Sequence, residues 1–156
     1  MPTKFSTIYE RAMYKFTDYS FLNSGVSYAR SQSISAADTA RENALQNYLM
    51  SAIVDVQHGC NVDLNDYDLA NKEFNVELNN ELIEILALGV AFYWISAKAL
   101  NSELLKNRIH NSDYKSYSPA NLLSVVEGLR DKIGGEFKGK INTYSIRNGN
   151  IDTLKT

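Results

Sequence analysis

Thirteen consecutive residues, Ile85 to Ala97, carry no charge and lie between Glu84 and Lys98. With the residues just before them they read "ELIEILALGVAFYWI", and they include the only tryptophan, Trp94. Such a run must be removed from water. It is too short to cross a bilayer, which takes about 20 residues of helix. A helix apolar nearly all round is instead buried on several sides. The run predicts the central helix of a small domain, from Asn80 to about Leu100, with Ile85, Leu88, Phe92, Trp94 and Ile95 in the core. If the indole is fully buried, Trp94→Ala costs about 3–5 kcal/mol.

The other elements follow from the same periodicity. A short first helix spans roughly Ser6 to Phe16. The stretch from Leu22 to Ser35 is small, polar and without period, and reads as a long loop. A second helix begins near Ser35, with Ala37, Ala40, Ala44, Tyr48, Ala52 and Val56 at spacings of 3 and 4, and stops before Gly59. Asn79 is placed to cap the central helix, with Leu78 and Ile83 at the positions of a hydrophobic staple. Asn101-Ser102 marks an interruption, followed by a short helical piece. Ser118-Pro119 opens the last helix, since proline suits the first helical position. There Leu122, Val126, Leu129, Ile133, Phe137, Ile141 and Tyr144 form a stripe about 40 Å long if unbroken. Gly134-Gly135 inside it points to a kink or a close packing partner. No strong strand pattern appears. The expected class is all-α: about four helices in a small bundle, a long C-terminal helix and an extended tail. The division is one domain over 1–146 and a tail over 147–156.

Composition narrows the function. The chain has 156 residues, 44% hydrophobic, enough for one domain with a modest core. The formal net charge of −2 argues against nonspecific nucleic-acid binding. The balance is uneven. Residues 1–129 hold 10 Lys and Arg against 15 Asp and Glu, and residues 130–156 hold 6 against 3. A basic end on an acidic body fits an anionic partner, a head-to-tail contact between copies, or a solvated helix face. A single cysteine, Cys60, requires no oxidising compartment, and no secretory signal is seen.

The search for chemistry yields no catalytic, cofactor or metal set. His58 and Cys60 fall short of any zinc pattern, and His110 stands apart from cysteine. They also lack an orienting third residue for nucleophilic catalysis. An EF-hand register from Asn61 puts Asp66 where glycine belongs and Lys72 where glutamate belongs. A turn-rich linker is the better reading of residues 60–79. Glu81 and Glu84 suit the first turn of a helix for dipole reasons. Tyr19, Tyr28, Tyr67, Tyr114 and Tyr117 lie outside the main stripes and serve either interfaces or loop anchoring.

Five stretches carry a resemblance: "YERAMYKFTDYSFL", "YLMSAI", "ELNNELIEILALGVAFYWI", "SPANLL" and "INTYSIRNGNIDTL". In this order and spacing they resemble the head–tail connector, or adaptor, proteins of long-tailed bacteriophages, over most of the chain. The loop Leu22 to Ser35 departs from that pattern. The resemblance implies a structural virion protein of the neck, made in the host cytoplasm, with no catalysis, cofactor or membrane. It implies a ring of twelve copies below the portal protein. The ring would extend the DNA channel without reading sequence and carry the next neck protein, a stopper or tail-completion protein. Connector C-termini attach to the portal. On that basis Ile133, Phe137, Ile141, Tyr144, Ile151 and Leu154 are the expected portal or subunit interface, with Lys132, Lys138, Lys140 and Arg147 as basic contacts. The alternative is a small helical regulator that binds one protein partner without forming a ring. Assembly state separates the two.

Overall fold

A computed structural model describes residues 1–15, 34–108 and 119–148, with side chains described over 1–15, 39–101 and 124–148. Four helices carry the fold: α1 (Phe5–Tyr14), α2 (Ile34–Gln57), α3 (Asn80–Arg108) and α4 (Pro119–Asn148). The class is mainly helical, as the periodicity predicts.

Asn79 caps α3. Its Oδ1 accepts from Leu82 N–H at 2.8 Å, and its carbonyl accepts from Ile83 N–H at 3.1 Å. Leu78 and Ile83, the staple positions, are both buried. The interruption expected at Asn101-Ser102 does not occur, because α3 runs through it to Arg108. Asn and Ser cost a helix only a few tenths of a kcal/mol relative to alanine, far less than Gly or Pro. α4 also extends two residues past the expected boundary, so Arg147 and Asn148 belong to the helix. The long loop falls largely outside the described residues, although Ile34 and Ser35 are already helical.

A three-stranded sheet joins the helices, in the order β1-β3-β2 and antiparallel throughout. Its strands are Thr3–Lys4 (β1), Tyr67–Asp68 (β2) and Glu73–Phe74 (β3). Two-residue strands have no room for alternation, so no strand pattern is legible in these segments. The sheet is held by side chains. Thr3 Oγ1 accepts from Leu78 N–H at 2.9 Å, and Phe5 packs edge-on against Phe74 at 5.0 Å and Tyr67 at 6.1 Å. Asp68 closes the β2–β3 turn by accepting from Ala70 N–H and Asn71 N–H. Lys72 ends that turn in the left-handed region, at φ 54°.

The core divides in two. In the body, α1, α2, the sheet and α4 surround the first half of α3, where Leu82, Ile85, Leu86, Ala87, Val90 and Ala91 are fully buried. Beyond it α3 and α4 run on as an antiparallel pair, here called the arm. Among the described residues its separate core is Ile95, Ala99 and Val126, flanked by partly buried Trp94, Leu129 and Ile133. Of the expected core, Ile85, Leu88 and Ile95 are buried, whereas Phe92 and Trp94 are only partly so. Trp94 and Phe92 pack against the core without being fully enclosed by it, so the condition of full burial is not met for Trp94. Among the described residues the buried cluster at this level draws on α3 and α4, and Lys98 lies over the indole at 5.5 Å. The 22 residues Asn80–Asn101 are long and apolar enough to span a membrane by composition, yet 61% of that window is buried inside the protein. The opening run is a core helix.

Glycines set the distance between helices. A Cβ on Gly89 would stand 2.6 Å from that of Ala52 and 2.9 Å from the Phe137 ring, and one on Gly134 would stand 2.7 Å from the Phe92 ring. These two positions let α2, α3 and α4 close on one another, and Phe92 stacks on Phe137 at 6.2 Å. The neighbouring Gly135 is different, as are Gly128 and Gly139. A Cβ on any of the three would meet nothing within 4 Å. Each of these exposed glycines weakens α4 by about 1 kcal/mol relative to alanine.

Candidate functional site

The densest polar arrangement lies where α3 begins. Glu84 accepts a short hydrogen bond from Lys15 of α1 and faces Lys140 of α4 at 3.7 Å. Glu81, one turn earlier, pairs with Arg147 of α4 at 3.2 Å. Arg11 of α1 donates to the Asn80 carbonyl at 3.3 Å and to its side chain at 3.4 Å. Asn79 Nδ2 donates to the Tyr144 hydroxyl at 3.3 Å. One end of α3 thus fastens α1 and the last turns of α4. Burial pushes the Glu84 carboxyl up. The hydrogen bond and charge of Lys15, with the charges of Lys140 and Arg11, outweigh it and hold the group below the usual carboxylate range. Glu81 and Glu84 also complement the helix dipole, as their first-turn positions require. Their ion pairs join residues 56 to 69 positions apart, so no local spacing could reveal them.

Two of the residues expected at a portal or subunit interface are core. Phe137 is 2% exposed and Tyr144 4% exposed, both packed within this chain, and they are withdrawn from that role. Ile133 and Ile141 are half-buried against the same core. The apolar stripe of α4 is spent on α3, which is itself long enough to cover it. Among the basic residues, Lys140 and Arg147 are engaged in the seam just described, whereas Lys132 and Lys138 face outward. Ile151 and Leu154 lie outside the described residues.

The connector is a packing device. Gln57 at the end of α2 accepts from Leu64 N–H at 2.6 Å and donates to the Val62 carbonyl at 3.2 Å. Asp63 and Asp66 accept from Asn65 N–H and the Asn75 amide, as turn residues do. The Cys60 thiol points to the Val62 carbonyl at 3.3 Å, and burial pushes its pKa up, which disfavours the thiolate. His58 is exposed. Tyr67 is a loop anchor, half-buried on Phe5 and Phe74. The other four tyrosines singled out, and His110, lie outside the described residues. Among the described residues no three His, Cys, Asp or Glu side chains gather as metal ligands.

A groove of about 510 Å³ runs between α1 and α2. Tyr9, Met13, Tyr14 and Leu45 line it, with Glu10, Arg41 and Glu42 among its polar residues. The Tyr9 hydroxyl is buried without a hydrogen-bond partner. Burial pushes its pKa above the usual phenol value, and the charge of Glu42 adds to the effect. Sequence reading did not single out this groove, because Tyr9 and Leu45 are indistinguishable there from ordinary core positions.

The molecule is thus a helical bundle with a small sheet and a two-helix arm. No protein-family model, no curated protein and no solved structure matches the chain.

Proposed function

We propose that this chain is a structural subunit of a bacteriophage neck: a head–tail adaptor that assembles as a ring below the portal, extends the DNA channel and carries the next neck protein. The order and spacing of the five motifs support the reading. The observation that carries it is the arm. Among the described residues its buried core is Ile95, Ala99 and Val126, while Leu100 and Val125 beside them are each more than half exposed. Apolar side chains left open on a two-helix pair favour burial against another surface. Neighbouring subunits would supply that surface, as in assemblies whose folded state is inseparable from the oligomer.

The portal contact, in this reading, falls on the segment after Asn148, which carries Ile151 and Leu154. Ordering that segment costs about 1–2 kcal/mol per residue, which its apolar contacts must exceed. The exposed Lys132 and Lys138 would supply register and salt sensitivity more than affinity.

Electron microscopy of necks from the virion that encodes this chain tests the proposal. A closed ring of this chain between portal and tail is the expected result. A neck without one overturns it, and a one-to-one complex of the monomer with a single non-virion protein would favour a regulator. Deleting residues 149–156 should leave the bundle folded and abolish incorporation into portal-bearing heads.

A further inference from the structure

The arm joins the body through one thin cross-section, and both of its helices are weakened there. We infer that this cross-section is a hinge, on which the arm swings as a unit against the body. The hinge belongs to the single chain and is present with or without a ring.

The packing changes over at one level. Among the described residues, the body cluster ends on α3 at Val90 and the arm cluster begins at Ile95. Between them only Ala91 is buried, while Phe92, Tyr93 and Trp94 are partly open. On α4 the same step falls between Phe137 in the body core and Val126 in the arm core. Ile133, partly buried, packs against both clusters. Interlocked side chains are what make a packed interior resist bending, and few interlock across this boundary.

Each helix has a soft point at that level. In α4 it is Gly134-Gly135. Packing accounts for Gly134, where a Cβ would stand 2.7 Å from the Phe92 ring. It does not account for Gly135, where a Cβ would meet nothing within 4 Å. Adjacent glycines leave a helical backbone at its least restrained, and glycine or serine pairs are where helices bend sharply. In α3 the soft point is Ser96. Its hydroxyl donates to the Phe92 carbonyl at 2.8 Å, one turn back. A serine bonded this way slightly destabilises a helix and bends it. Ser51 and Thr143 make the same bond, but within the span of the body core. Phe92 therefore links the two soft points, since its carbonyl takes the Ser96 bond and its ring sits on Gly134. Facing each other across a thin core, they let α3 and α4 bend together.

Val125 lies ten residues from Gly135, about 15 Å along the helix, so a bend of about 20° would move it by about 5 Å. Distances between paired nitroxide labels on the full chain, read by pulsed electron paramagnetic resonance, test the hinge. All chains carry Cys60→Ser. Asn47→Cys with Val125→Cys spans the hinge, and Asn47→Cys with Ile146→Cys stays within the body; all three positions are exposed. The spanning pair should give a distribution wider than the body pair by about 5 Å. Adding Gly135→Ala and Ser96→Ala should remove about half of that excess or more, with the helical circular dichroism unchanged. Should Ser96→Ala disturb the fold, Gly135→Ala alone makes the same test, since its Cβ meets nothing. Equal widths for the two pairs overturn the inference, because the arm is then rigid on the body. An excess width that the substitutions leave unchanged also overturns it, because the motion then arises elsewhere.

Discussion

The body and the arm are built from the same two helices and differ in what surrounds them. In the body α3 is covered by α1, α2, the sheet and α4, and six of its residues between Leu82 and Ala91 are fully buried. In the arm, among the described residues, α4 covers α3, and Ile95 and Ala99 are buried while Trp94 is partly so and Leu100 exposed. Large apolar side chains of α3 are thus fully buried in the body, as Ile85 and Leu86 are, yet left partly open in the arm, as Trp94 and Leu100 are. Burial follows the number of neighbours, and a helix can be uniformly apolar while its environment changes along its length.

The largest expected effect lies in the body. Ile85→Ala should lower unfolding free energy by about 2–5 kcal/mol in chemical denaturation. Trp94→Ala in the arm should cost less, about 1–3 kcal/mol, since part of the indole stays in water. Equal losses for the two variants would erase the distinction between the regions. Glycines sharpen it with a change of sign. Gly89→Ala should destabilise by roughly 1–2 kcal/mol, because the overpacking against Ala52 and Phe137 exceeds the gain in helix propensity. Gly135→Ala should stabilise the unassembled chain by about 1 kcal/mol, and thermal melting reads both.

The smallest effect concerns the seam that ties the body. The Glu84 carboxyl is held below its ordinary pKa in the folded state. Its contribution is therefore complete above the unfolded range, near pH 4.3, and is lost as the pH falls through the folded value. Melting temperature followed from about pH 6 down to about pH 3 should fall less steeply for Glu84→Gln than for the unsubstituted chain. At neutral pH the substitution should cost less than about 1 kcal/mol, as the pair is partly exposed.

The sequence made the helices legible because their signals are local. Asn79 and Pro119 mark starts by their own chemistry, and the stripe from Val126 to Tyr144 repeats at helical spacing. The sheet was not legible, since Thr3 and Phe74 are brought together by tertiary packing and neither strand exceeds two residues. Nor could periodicity say what covers a stripe. Phe137 and Tyr144 looked available for a partner and are covered by α3 of the same chain. The seam and the Tyr9 groove were illegible for the same reason, because Lys15 and Glu84, or Tyr9 and Leu45, become neighbours only after the fold forms.

The seam also determines how the molecule would carry mechanical load. Thr3 is bonded to Leu78 and Arg147 to Glu81, so both ends of the described chain are anchored on the same short stretch before and within the first turn of α3. Tension applied between residues 1 and 148 would run through that stretch and bypass the arm. The described part of the arm would carry none of that tension, and the first turn of α3 would bear it.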